Sequence, residues 1–140
     1  MVWATMNAQE NPAAYDSTLA MQLGADDYGM RTYALVMLTT GPATDLEKET
    51  RDSLFRGHMQ NINRLAEEGS LVLAGPFTKH EKYRGMFIFK VDDAEAAEAL
   101  VLSDPAVAGG ALGYEILMWY GSAAVQQVNE LHRSIQKVKF

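Results

Sequence analysis

The histidine at position 58 combines a side chain that can do acid–base chemistry with a position on the apolar side of a predicted helix. Its ring lies three or four residues from Leu54, Phe55 and Ile62, so it belongs to the apolar side of a predicted helix. An imidazole on such a face is either a core histidine hydrogen-bonded to the backbone or a group that exchanges protons at a sheltered site. The residue type and its spacing leave both interpretations open.

The aspartate at position 104 is the second candidate for chemistry. Asp104 precedes Pro105, and this pair is typical of a helix N-cap followed by proline at the first helical position. A carboxylate can also orient an imidazole and stabilise its charged form. Capping and catalysis are therefore both open for Asp104. Glu67 and Glu68 are weaker candidates, because they lie at the solvent end of their predicted helix.

The residues around these two side chains form two landmarks along the chain. The helix that carries His58 ends at Gly69 and is followed by a strand, 71–76, that closes in Ala-Gly-Pro. Further on, Ser103-Asp104-Pro105 leads into a small-residue stretch with two glycines at 109 and 110. In this order the landmarks resemble the signature of the YciI-like family, which carries the YCII-related domain. The resemblance covers residues 31–121.

This resemblance implies a fold, a site and a class of chemistry. The family forms dimeric α+β barrels, and a histidine–aspartate dyad proposed for it corresponds to His58 and Asp104. Relatives in the superfamily include a dehydrochlorinase and lactone isomerases, so lyase or isomerase chemistry is expected by analogy. The chain departs from the pattern in a charged loop at 79–84, where a glycine-rich turn is usual. It also has Met118 where relatives often have proline, and both departures bear on substrate contacts.

The order of predicted elements agrees with this fold. Apolar and turn patterns predict strands over 32–40, 71–76, 85–91 and 114–120, with helices over 46–68 and 94–102. Asp92 is the predicted cap of the second helix. The order βαββαβ is the ferredoxin-like plan of an α+β fold.

A binding cavity and a dimer follow from this arrangement. The apolar face of the first helix and the end of the second strand must converge, so Gly75, Pro76 and Phe77 are predicted to line a substrate-binding cavity with His58. Helices cover only one face of such a sheet, and its strands are too apolar to leave the other face in water. The sequence therefore predicts a homodimer with a cleft for a small-molecule ligand.

The predicted domain has an extension at each end. Residues 1–30 form a polar N-terminal extension, which could include a short helix around Leu19. Residues 8–11 resemble the start left after signal cleavage. For the sequence as given, we expect a cytoplasmic protein. If a signal peptide has been trimmed, we expect a periplasmic or secreted one. Residues 122–140 are predicted as an amphipathic C-terminal helix, capped by Ser122, whose apolar stripe packs on its own domain or on a partner subunit.

Composition excludes several classes of function. A chain of 140 residues with a net charge of −6 has no basic stripe for nucleic acid. No apolar run is long enough for a membrane helix. The chain has no cysteine, which excludes disulfides and thiolate chemistry. His80 and His132 are expected at the surface, and no histidine spacing indicates a metal site.

The sequence thus predicts a small enzyme of the YciI type that needs no cofactor or metal. His58 would transfer a proton on an unknown small organic substrate, in a lyase-like or isomerase-like reaction. The alternative is a non-catalytic module that binds a small ligand and uses His58 only as a hydrogen-bonding group.

Overall fold

Four antiparallel strands form the centre of the part of the chain that the structure describes. The structure is a computed structural model that describes residues 14–140. The sequence features that suggest a trimmed export signal lie outside these residues. The strands are β1 (Met30–Thr40), β2 (Leu71–Pro76), β3 (Tyr83–Phe89) and β4 (Leu112–Ser122). Their spatial order is β2-β3-β1-β4. This confirms the ferredoxin-like α+β fold, with β2 and β4 at the two edges of the sheet.

Within residues 14–140, five α-helices connect and flank the strands. They are α1 (Ser17–Gln22), α2 (Lys48–Glu67), α3 (Ala94–Leu102), α4 (Pro105–Ala108) and α5 (Val128–Ile135), and a 3₁₀ helix (Ala123–Gln127) precedes α5. As predicted, α2 stops before Gly69, whose φ of 84° reverses the chain at low steric cost. The cap of α3 is Asp93 rather than Asp92, because the Asp93 side chain accepts from the Ala96 N–H. Asp92 instead pairs with Arg31.

The two faces of the sheet are covered differently. Along β1, Ala34, Val36 and Leu38 point towards the helices and join the main core. That core includes Leu65 of α2, Phe87 and Phe89 of β3, Val101 of α3 and Val107 of α4. Burying each large side chain of this kind stabilises the fold by about 1.5–3 kcal/mol. Most of the core therefore lies between the sheet and the helix layer that carries His58.

The opposite face of the sheet has a smaller cluster. Tyr33, Val72 and Ile88 are buried there, with Leu35, Leu73 and Met86 partly buried beside them. Val125 of the 3₁₀ helix packs on this cluster. The Tyr33 and Trp119 rings stack with their centroids 5.6 Å apart. This face is only partly covered, and Leu117 and Trp119 of β4 remain exposed on it.

The N-terminal segment is held against the end of the sheet by polar contacts. Gln126 donates to the Leu23 carbonyl oxygen over 2.6 Å. The Asp26 carboxylate accepts from the Met30 N–H and from the Tyr120 hydroxyl. The Tyr120 hydrogen bond, followed by the one from Met30, holds the pKa of Asp26 below its usual value. These contacts join residues before β1 to the last strand.

The C-terminal segment differs from the prediction. Ser122 does act as a cap, but for the 3₁₀ helix, and α5 ends at Ile135. In the apolar stripe predicted to pack, Val125 does pack on the smaller cluster. Leu131, Ile135 and Val138 are 66%, 72% and 79% exposed, so within residues 14–140 the C-terminal part of the stripe does not pack on its own domain. The polar side of α5 faces the molecule instead, since Asn129 donates to the Leu71 carbonyl oxygen at the edge of β2. No helix among the described residues has the length and hydropathy needed to cross a membrane.

Candidate active site

His58 lies on α2 with its ring between two aromatic side chains. The Phe55 ring, one turn earlier on the same helix, meets it edge-on at 5.9 Å. The Phe87 ring of β3 lies 5.9 Å away and within 28° of parallel. Only 12% of the His58 side chain is exposed. The apolar pattern around His58 thus placed the ring correctly, at the boundary between α2 and the sheet.

Asp104 is in direct contact with this ring. Its Oδ2 lies 2.6 Å from His58 Nδ1, although the two residues are 46 positions apart in the chain. Its Oδ1 accepts the N–H of Ala106 over 2.9 Å and caps α4. The carboxylate is fully buried. One oxygen of Asp104 therefore caps a helix, as predicted, and the other contacts the imidazole, while its catalytic role stays a prediction.

This hydrogen bond determines the protonation pattern of the ring. An ionised carboxylate can only accept, so Nδ1 carries the hydrogen that bridges to Asp104. In the neutral imidazole Nε2 then carries the lone pair. Within residues 14–140, no side chain or backbone group forms a hydrogen bond with Nε2. His58 is therefore held in the tautomer that can take a proton from a ligand through Nε2.

The close approach of α2 and α4 makes this contact possible. A Cβ placed on Gly57 would lie 2.8 Å from Cγ and 3.0 Å from Cβ of Pro105. The first distance is shorter than real Cβ contacts, and the second lies at the tight end of their range. The glycine before His58 thus lets the helix approach the proline after Asp104, and the two polar side chains meet beside that contact.

A cavity of about 690 Å³ opens in front of His58. This volume is typical of small-molecule sites. Apolar side chains that line it include Leu38, Phe55, Ile62, Phe87 and Leu112. Gly75 and Pro76, at the end of β2, line it too. The structure thus places both residues beside His58, as the sequence predicted, and their contact with a substrate stays a prediction.

Phe77 lies elsewhere, which corrects its predicted position in the His58 cavity. Successive strand residues alternate between faces, and Pro76 pairs with Gly85 on the helix side while Gly75 pairs with Met86 on the other side. Phe77 continues this alternation away from His58. It lines a separate, smaller depression with Met37, Tyr83 and His80.

Sequence reasoning missed the polar wall of the cavity. Arg84 of β3, together with His132 and Arg133 of α5, lines it. His132 was expected only at the surface. The pattern was present in the sequence, because Asn129, His132, Arg133 and Gln136 recur at three and four residues and form one polar helix face. All four line the cavity.

The arrangement suits proton transfer. A buried carboxylate orients an imidazole whose second nitrogen is available beside a largely apolar cavity, which is the geometry of a general base. In the part of the chain that the structure describes, no group of three or more histidine, aspartate or glutamate side chains is placed to hold a metal ion.

Comparison with known proteins bears on the same part of the chain. The family model for the YCII-related domain matches residues 30–120. The match begins at the first residue of β1, and it contains both His58 and Asp104. No curated protein is similar enough to the chain to count as a match. Since the family match spans well over half of the 140 residues, the chain belongs to the YCII-related domain family.

Proposed function

We propose that this protein is a small cofactor-free enzyme in which His58 transfers a proton on a small organic substrate. The observation that carries the proposal is the 2.6 Å contact between His58 Nδ1 and Asp104 Oδ2, at the wall of the 690 Å³ cavity. The proposed catalytic residues are His58 as base and Asp104 as the residue that orients it and stabilises its charged form.

The proposed reaction begins at Nε2. The lone pair on Nε2 takes a proton from an activated C–H group of the substrate, and the electron pair of that bond stays on the substrate. The imidazolium is stabilised by the Asp104 carboxylate at its other nitrogen. Return of the proton to a different atom gives an isomerisation. Departure of a leaving group with its electron pair gives an elimination, which is a lyase reaction.

The surroundings of the ring support this chemistry. Phe55 and Phe87 keep most water from His58, and electrostatic interactions are stronger in such a setting than in bulk water. Gly75 and Pro76 lie at the cavity wall without bulky polar groups, so we assign them to substrate contact. The cavity volume limits the substrate to a small molecule.

Hydrogen–deuterium exchange tests the proposal even though the substrate is not identified. Small carbonyl compounds and lactones are incubated with the protein in D₂O, and loss of the C–H signal is followed by proton NMR. We expect faster exchange for at least one compound. His58→Gln should reduce this rate by about 10²–10⁴-fold, which is typical of a lost general base.

His80→Gln is the matched control, because His80 lies at the separate depression, where its ring accepts hydrogen bonds from the backbone N–H groups of Lys82 and Tyr83. Its exchange rate should equal that of the wild type. Compounds that bind in front of His58 but exchange no hydrogen would contradict the proposed enzymatic function. They would favour the alternative, a non-catalytic module that binds a small ligand.

We also propose that the protein is a homodimer joined through the sheet face opposite the helices. Leu117 and Trp119 are exposed on this face, beside the partly buried Leu35, Leu73 and Met86. Exposed apolar patches of this kind are typical of interaction surfaces. The His58 cavity lies on the other side of the sheet, so dimer formation through this face leaves the cavity open.

A further inference from the structure

The charge of the His58 cavity is opposite to that of the whole protein. The chain carries 18 acidic and 12 basic residues, which gives the formal net charge of −6. Among residues 14–140, however, the cavity is lined by Arg84, Arg133 and Lys139 and by a single carboxylate side chain, that of Glu67. Asp104 lies behind His58, fully buried and engaged by two hydrogen bonds. A local excess of positive charge in an acidic protein indicates attraction of a negatively charged ligand.

The two arginines are available for such a ligand. Neither Arg84 nor Arg133 forms an ion pair within residues 14–140, whereas Arg31 and Arg64 do. A guanidinium group presents its donors in a planar fork that matches a carboxylate, and such charge-assisted pairs are stronger than neutral hydrogen bonds. They come from separate elements, β3 and α5, and both line the polar wall of the cavity.

The part of the cavity next to His58 is largely apolar. Phe55, Ile62 and Phe87 lie at the His58 end and offer no hydrogen bond to a polar ligand. A ligand that satisfies both parts must carry a negative group and an apolar body. It must also bring its reactive C–H group to Nε2 of His58.

We propose that the cavity binds a small organic acid, with its carboxylate on Arg84 and Arg133 and its apolar body against Phe55 and Phe87. The inference deepens the proposed function, on which its catalytic meaning rests, because it names the substrate class of the same site. It also gives α5 a role, since this helix supplies Arg133 and closes one wall of the cavity.

Binding of phenylacetate and its neutral analogue phenylacetamide tests the proposal. The two probes share a shape and differ in charge, and NMR shifts of the Gly75 and Gly85 backbone amides, both at the cavity wall, report binding. We expect phenylacetate to bind roughly tenfold or more tightly than phenylacetamide. In Arg84→Gln/Arg133→Gln this preference should disappear, through weaker binding of the acid.

Arg51→Gln/Arg56→Gln is the matched control, because it removes the same charge from the exposed side of α2 and should leave the preference intact. Inorganic phosphate tests whether negative charge alone is enough for binding. Displacement of phenylacetate by an equal concentration of phosphate would contradict the apolar part of the proposal. Equal affinity for the two probes, no binding of either, or an unchanged preference in the double variant would overturn it.

The His58→Gln variant separates this inference from the proposed function. If the cavity is an acid site, this variant keeps its preference for phenylacetate while it loses hydrogen exchange. If His58 is a base but the cavity does not select acids, the wild-type protein exchanges hydrogen on neutral compounds and shows no preference for phenylacetate. Each proposal can therefore fail without the other.

Discussion

At the scale of single residues, the site depends on the two oxygens of Asp104. Oδ1 is committed to the Ala106 N–H and Oδ2 to His58 Nδ1. Both interactions require an acceptor, and a buried ionised carboxylate supplies two. An asparagine in the same position can supply only one, so its effect on the ring follows from geometry.

We expect Asp104→Asn to reverse the tautomer of His58. The amide oxygen must accept the Ala106 N–H, which leaves the amide NH₂ group facing Nδ1. Nδ1 then becomes the acceptor and Nε2 carries the hydrogen, so the ring can no longer take a proton at Nε2. Nitrogen-15 NMR of the imidazole should show this exchange of roles. The free energy of unfolding should change by about 1 kcal/mol or less, because asparagine caps helices as well as aspartate.

Asp93→Asn is the control for this experiment. It makes the same substitution at the cap of α3, where the side chain bonds only to the Ala96 N–H. The His58 spectrum should not change. A wild-type spectrum with hydrogen on Nε2, or an unchanged tautomer in Asp104→Asn, would contradict the arrangement described here.

The sequence could predict part of this site and not the rest. Helical spacing alone placed His58 at the inner face of α2, and the Asp-Pro pair predicted the cap at Asp104. Their contact required the resemblance to a family, because no local rule joins residues 46 positions apart. Arg133 was missed because it reaches the cavity through tertiary packing of α5 on the edge of β2, and Arg84 was missed because it was assigned to the charged loop at 79–84. Phe77 was misplaced although strand alternation, readable from the sequence, points it away from His58.

At the scale of elements, the site depends on how closely two helices approach. Gly57 precedes His58 on α2, and Pro105 follows Asp104 on α4, so the contact between them sets the distance between the two polar side chains. The proline ring is rigid, so it cannot move aside as a flexible side chain would. This contact makes Gly57 a packing residue that positions the site.

We expect Gly57→Ala to destabilise the protein although alanine favours helices. The new Cβ would lie 2.8 Å from the Pro105 ring. Overpacking of this kind costs about 1–3 kcal/mol, which exceeds the gain of about 1 kcal/mol from helix propensity. Urea denaturation should therefore show a net loss of about 1 kcal/mol, and the His58–Asp104 hydrogen bond should weaken in the imidazole spectrum.

The double variant with Pro105→Ala shows whether the contact is the cause. Loss of the ring removes the Cγ atom nearest to the new methyl group, so Gly57→Ala should cost less in that background than in the wild type. A stabilising effect of Gly57→Ala in the wild type, or an equal cost in both backgrounds, would show that α2 and α4 are not in tight contact.

At the scale of the whole molecule, the two faces of the sheet differ in what covers them. One face packs on α2, α3 and α4 and carries the His58 cavity, while the other leaves apolar side chains in water. Strand and helix patterns predicted this architecture to within a few residues at most boundaries, because hydrophobic periodicity is a local signal. The orientation of α5 was not predictable in this way. Both of its sides could pack, and tertiary contacts selected the polar one.

We expect the wild-type protein to be a dimer at micromolar concentration, and Leu117→Glu to make it a monomer. Leu117 is 51% exposed and pairs with Leu35 on the face without helices, so a buried charge there would oppose association. Met118→Glu is the matched control, since Met118 is 42% exposed on the same strand but pairs with Ala34 on the helix side. Sedimentation velocity should show a dimer for the wild type and for Met118→Glu. A monomeric wild type, or equal dissociation in both variants, would rule out this face as the dimer interface.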